Sequence, residues 1–211
     1  MRLTENSYNF IAGRSRERLA AISDGVFGFA MTLLVVDLKT PDPDGLVSSH
    51  DLLLGLIKLA PNLLIYLLSF MTLGIFWVGQ QTQLNALDQT NRSLTWLHLG
   101  FLAAVTLMPF STSLMAAHIN RWPALLVYWA NIFLLGAMLF ACWRYSTSSN
   151  LLSEEAKGSD SVIERRIIVA QSLYAFGALL SVFSTYLSLM FIIAVQIVYV
   201  VGPKRGFLSR L

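Results

Sequence analysis

Thirty-five consecutive residues, 167–201, carry no charged side chain. One straight helix of that length would run about 52 Å at 1.5 Å per residue, against a bilayer core of about 30 Å. Inside hydrocarbon every backbone N–H and C=O must bond within the chain, which leaves helices or a closed barrel. The segment is therefore expected to cross an apolar medium as a helix, turn near 181–186, and cross back.

Composition supports that reading. Charged residues make up 13% of the 211 positions and hydrophobic ones 55%, with a mean hydropathy of +0.62. A soluble domain carries about 25% charged residues, so an all-α integral membrane protein is expected. At roughly 20 apolar residues per crossing, further runs fall at 20–38, 52–78, 94–114 and 123–143. Pro61 lies near the start of the second run. Pro109 is placed to kink the third, where the freed carbonyl needs a partner from a neighbour. Pro123 suits the first turn of the fourth.

The polar stretch from Gly79 to Arg92 is expected to close the second run, and 144–166 to be a solvated connection containing a capping-box signal at Ser161 and Glu164. Trp77, Trp96, Trp122, Trp143 and Tyr145 lie near the predicted helix ends, as interfacial aromatics do. The count is six spans in one domain, 1–211.

Basic residues set the orientation. With the N-terminus inside, the inner side holds Arg2, Arg14, Arg16, Arg18, Arg92, Arg144, Lys157, Arg165, Arg166, Lys204, Arg205 and Arg210. The outer side holds Lys39, Lys58 and Arg121, together with Asp42, Asp44 and Asp51. Both termini are then cytoplasmic in a multi-pass plasma-membrane protein. Residues 1–16 lack an apolar core, so no signal peptide is expected and the first helix should remain in the mature protein.

Other functions find little support. The net charge of +3 is spread over loops, without the clustered basic face that nucleic-acid binding needs. Cys142 has no second cysteine to pair with, and His50, His98 and His118 are scattered without metal-ligand spacing. No enzyme chemistry, metal or other cofactor is expected.

Function points instead to the first run. Arg18, Ser23 and Asp24 stand at its mouth, and ionisable groups in spans are usually paired or face a wet path. At 100° per residue, Gly25, Phe29, Thr32 and Val36 fall within about 60° of one another, a single narrow stripe. Ser23 and Asp24 lie on other faces, from which they can bond neighbouring helices. The stripe can line an axis, or it can be ordinary packing; periodicity leaves both open.

The segment RLAAISDGVFGFAMTLLVVDL resembles the signature of the transmembrane protein 175 family of potassium channels. That family's first helix reads R-x-x-x-F-S-D, then G-V-F-A-I-A-I-T-L-L-V-L-D. The resemblance continues through FWVGQQTQL, LTWLHLGFLAAVTLMPFSTSLM and VYWAN…CWRYS, in the same order along the whole chain. It implies a homotetramer of six-helix subunits, with four first helices around a potassium pore, embedded in lipid. It also implies an apolar constriction and hydrophobic gate at Phe29, Thr32 and Val36; no T-V-G-Y-G-like filter loop occurs.

Arg18, Ile22, Ser23 and Asp24 would carry the signature and brace the pore helix, with Arg18 and Asp24 able to pair. Ile22 departs from the family's phenylalanine, and Phe29 replaces an isoleucine. Gln80 and Gln81 stand where histidines are usual. The polar network behind the first helix is therefore expected to be rebuilt, with His98 within reach of Asp24 or Gln80. The competing reading is a proton-coupled secondary transporter using Asp24 as its proton site.

Overall fold

The computed structural model describes residues 13, 15–41, 48–158 and 160–201. Arg2, Arg14, Lys204, Arg205, Arg210, Asp42 and Asp44, which entered the orientation argument, lie outside the described residues. Among the described residues the fold is helical: α1 (Arg16–Val36), α2 (Ser49–Lys58), α3 (Ala60–Asn85), α4 (Arg92–Thr106), α5 (Met108–Ala117), α6 (Trp122–Ser148), α7 (Asp160–Leu180) and α8 (Thr185–Val201). Four stretches among them are long and apolar enough to cross a bilayer: α1, α3, α4 with α5, and α6. The hairpin α7–α8 turns at 181–184, inside the predicted window.

Local chemistry sets the helix starts. Ser15 accepts from the Arg18 amide to cap α1, and Asn91 accepts from the Leu94 amide to cap α4. Ser48 and Asp51 form a reciprocal capping box on α2. Pro61, Pro109 and Pro123 each occupy the first turn of a helix, where a missing N–H costs nothing.

These prolines correct two of the expected runs. The second run is two helices parted at Leu59, because Pro61 cannot donate back to the preceding turn. The third is parted at Leu107 by Pro109 in the same way. At that break Asn131 of α6 supplies the neighbour's partner. In the amide orientation that satisfies its surroundings, it accepts from the Met108 amide and donates to the Ala104 carbonyl, at 3.1 Å each. An inserted side chain of this kind holds a kink open. Replacing Asn131 with leucine would leave the Met108 amide buried and unpaired, at about 1–3 kcal/mol. Thermal unfolding in detergent should show Asn131→Leu less stable than the parent; an unchanged transition would mean the kink does not depend on Asn131.

Two further expectations give way. The polar stretch after Gly79 does not close the second run, because α3 stays helical to Asn85. Its glutamines point inward: Gln80 and Gln83 are buried. Nor is 144–166 a free connection. Leu87 and Leu152 form an antiparallel bridge, the Asp88 amide donates to the Leu151 carbonyl, and the Ser153 amide donates to the Ala86 carbonyl. Leu151 and Leu152 pack in one cluster with Trp143, which is fully buried inside the protein, and with Cys142, Leu19, Leu84 and Leu94.

The larger core lies between α1, α3, α4, α5 and α6. Phe101 of α4 is fully buried, its ring 5.9 Å from that of Phe27 on α1 and 6.5 Å from that of Phe76 on α3. In α7–α8, Gly177 permits close approach: a Cβ there would stand 2.8 Å from Ile192 Cγ1. Small residues at such crossings let backbones meet where lipid gives no hydrophobic drive.

Candidate functional site: the braced first helix

The buried side chains of α1 are Leu19, Ser23, Phe27, Ala30 and Leu34, spaced by four, four, three and four residues. That is one helical face, and it packs on α3, α4 and α5. Within it Ser23 is wholly buried. Its Oγ donates to the Leu19 carbonyl at 2.8 Å and accepts from Gln80 Nε2 at 2.7 Å. Asp24, beside it, accepts at one carboxylate oxygen from Trp77 Nε1 and from Gln81 Nε2, both at 2.8 Å. Trp77, Gln80 and Gln81 recur at the i, i+3, i+4 spacing that shares a helix face. One face of α3 thus holds both polar residues of α1.

The base of α1 is fastened as well, by Arg16, which donates to the Leu87 carbonyl at 2.8 Å. Arg18 does not pair with Asp24. Six residues apart on a helix they sit about 120° around the axis from each other, and Asp24 is already engaged by α3. His98 also stays out of the brace: Nδ1 lies 3.1 Å from the Leu94 carbonyl of its own helix, and Nε2 has no partner. His98 is buried and bonds neither Asp24 nor Gln80.

The opposite side of α1 is bare. Phe29 is 66% exposed and Val36 72%, with Ile22, Gly25 and Thr32 also exposed. A Cβ built at Gly25 or Gly28 would meet nothing within 4 Å. Thr32 Oγ1 donates to the Phe29 carbonyl at 2.8 Å, so its proton is occupied and its lone pairs face outward.

A second polar cluster lies deeper, and the sequence reading missed it. Thr112 Oγ1 is 2.8 Å from Ser69 Oγ; Ser69 Oγ donates to Tyr128 Oη at 3.2 Å; Gln196 Nε2 donates to Thr72 Oγ1. These residues tie α3, α5, α6 and α8 together. Their only signal in the sequence was uncharged polar residues within the apolar runs, among them Ser69 and Thr72 in one and Ser111 to Ser113 in another.

This arrangement defines a class: a multi-pass helical membrane protein whose first helix is pinned by polar contacts behind an unpartnered apolar face. Comparison with known proteins narrows it. A family model described as the endosomal/lysosomal potassium channel TMEM175 matches residues 18–109. A protein of Chamaesiphon minutus named as a potassium channel is 31% identical over 176 residues, covering 81% of this chain and 86% of its own. The Gallus gallus endosomal/lysosomal proton channel TMEM175 is 30% identical over 139 residues, of which this chain spans 28% of the relative's length. A crystal structure of a lysosomal potassium-selective channel TMEM175 homolog from Chamaesiphon minutus shares the fold, with a TM-score of 0.78 at 24% identity over 90% of this chain and 98% of that one. The chain belongs to the TMEM175 family. It is a membrane protein of a channel family and not an enzyme.

Proposed function

We propose that this chain is one subunit of a homotetrameric, potassium-selective channel, in which four α1 helices surround the conducting path. The observation that carries the reading is the division of α1 into a braced face and a bare one. A helix with large apolar side chains turned away from its own bundle lacks a partner, and identical helices around an axis would supply it. The relatives named as potassium channels give the cargo. Potassium is the permeant ion, and passive conduction asks for no cofactor.

In this reading Phe29 and Val36 form apolar rings that stay dry until widened, because water leaves narrow apolar pores. Thr32, its proton already given to Phe29, offers lone pairs to an ion that has shed part of its water. Potassium holds its hydration less tightly than sodium, so a poorly coordinating neck penalises sodium more. Ser23 and Asp24, with Gln80 and Gln81, hold each α1 in register, and Arg18 anchors its end at the interface; Ile22, expected to brace the helix, instead lies on its exposed side. The whole chain acts as a single unit of six crossings, α7 and α8 supplying the last two, with local thinning of the bilayer meeting their shorter apolar length. The distribution of basic residues along the sequence supports a cell-membrane protein with both termini cytoplasmic.

Ion flux from proteoliposomes tests this. Potassium should run down its own gradient faster than sodium and without a proton gradient. Asp24→Asn should conserve that flux, since an amide oxygen still accepts from Trp77 and Gln81. Flux that requires a proton gradient and disappears in Asp24→Asn would make Asp24 a coupling site and overturn the channel reading.

A further inference from the structure

We propose that the groove between α3 and the α7–α8 hairpin seats one anionic phospholipid, an acyl chain in its apolar part and the phosphate on Arg166. The groove encloses about 440 Å³, within the roughly 300–1,000 Å³ of small-molecule sites. Its long axis is graded. Phe70, Met71 and Gly74 line one end, while Gln83, Arg166 and Tyr199 line the other. That polar end gathers the C-terminal part of α3, the N-terminal part of α7 and the C-terminal end of α8, so it lies on the side of the membrane where α1 begins. The flanking Val78 and Val200 are exposed, so the groove opens sideways, towards lipid. Apolar walls facing hydrocarbon favour a chain over water.

The second observation is the set of polar atoms without partners around this groove. Gln83 is 3% exposed, yet its Oε1 bonds nothing. Gln171 Oε1 and Tyr199 Oη, on the same wall, are also unpaired. Buried polar atoms are bonded in the great majority of cases, so three orphans around one groove mark a missing ligand. Their chemistry is mixed: amide oxygens want donors, and the phenol can donate. A glycerol headgroup supplies hydroxyl donors, and its ester and phosphate oxygens accept. Arg166 has no carboxylate at ion-pairing distance among the described residues, since nearby Glu164 is held by Arg144 at 3.1 Å. Gly136 keeps the groove open by letting Gln171 tuck against α6, where a Cβ would stand 1.8 Å from Gln171 Nε2.

The test is native mass spectrometry of the full chain released from nanodiscs of mixed phosphatidylglycerol and phosphatidylcholine. The parent protein should retain phosphatidylglycerol in preference. Arg166→Gln should lose about fivefold of that preference, the share of one basic side chain near a membrane surface. Gly74→Leu should lose the tightly held adduct of either lipid: Gly74 lines the groove and nothing lies within 4 Å of a Cβ there, so the added side chain enters the groove from an uncrowded backbone position. Soluble glycerol phosphate should displace neither, because it has no chain to bury. Equal retention of both lipids by the parent, or unchanged adducts in a monodisperse Gly74→Leu protein, would overturn the proposal. So would absence of any adduct from the assembled protein, which would mean another subunit covers the groove.

Discussion

Phe29→Ala protein reconstituted in vesicles is expected to pass potassium about tenfold faster than the parent, the effect of lowering a barrier by about 1.4 kcal/mol. It should also distinguish potassium from sodium less well. The expectation rests on the exposed ring of Phe29, which no other part of its own subunit touches closely enough to cover. In the proposed tetramer, four alanines in place of four rings would remove the apolar collar that expels water, and a wetted neck would admit ions that keep their hydration. Because Phe29 stands outside the packed face of α1, the change should not disturb folding. Flux and selectivity both equal to the parent's, in protein of equal stability, would place the constriction elsewhere on the chain. Val36→Ala measured alongside would then separate a second ring from no ring at all.

The largest loss of stability is expected from Phe101→Ala. Phe101 sits where α1, α3 and α4 meet, and it is the ring that Phe27 and Phe76 share. In lipid the water-transfer part of such a substitution is small, because the alternative surroundings are equally apolar. What is lost is close packing, at about 24 cal/mol for each Å³ of cavity that fails to collapse, giving a cost of about 2–4 kcal/mol. For a chain of this size that corresponds to a midpoint lower by about 5–15 °C. Phe101→Leu, which keeps most of the volume, should cost well under half as much. If both variants melted with the parent, the seat of α1 would not be this aromatic cluster.

Much of the architecture was legible in the sequence, because hydropathy and proline report directly on span and helix start. The uncharged run 167–201 had to fold back on itself, and it does so at 181–184. Pro123 opens α6 as expected. The errors share a cause. Hydropathy averages over all faces of a helix, so the glutamines after Gly79 looked like a loop when they are the inward face of α3. The same averaging hid that Trp143 is buried, on a face that packs with Leu151 and Leu152, eight and nine residues on, and with Leu19 and Leu84 of other helices.

The first helix shows the same limit on a finer scale. Its angular pattern separates the stripe of Phe29, Thr32 and Val36 from Ser23 and Asp24. It cannot say that Trp77, Gln80 and Gln81 would meet the polar pair, because that depends on how α3 packs. His98 was expected in the network from its place in the resembling helix, but its Nδ1 lies against the Leu94 carbonyl of its own helix and its Nε2 reaches neither Asp24 nor Gln80. The cluster around Ser69, Thr72, Thr112, Tyr128 and Gln196 was invisible for want of any charge to mark it.

The position of the brace along α1 gives the helix unequal arms. Hydrogen bonds hold it at Arg16, Ser23 and Asp24; beyond them Phe27, Ala30 and Leu34 make apolar contacts, which can slide. Taking Asp24 as fulcrum and 1.5 Å per residue, Phe29 lies about 7.5 Å out, Thr32 about 12 Å and Val36 about 18 Å. A tilt of about 5° would then carry Val36 by about 1.6 Å and Phe29 by less than half as much, on the same rise per residue. A small rotation at the pinned end is thus magnified toward Val36, and a fourfold set of such levers would open like an iris from that rim.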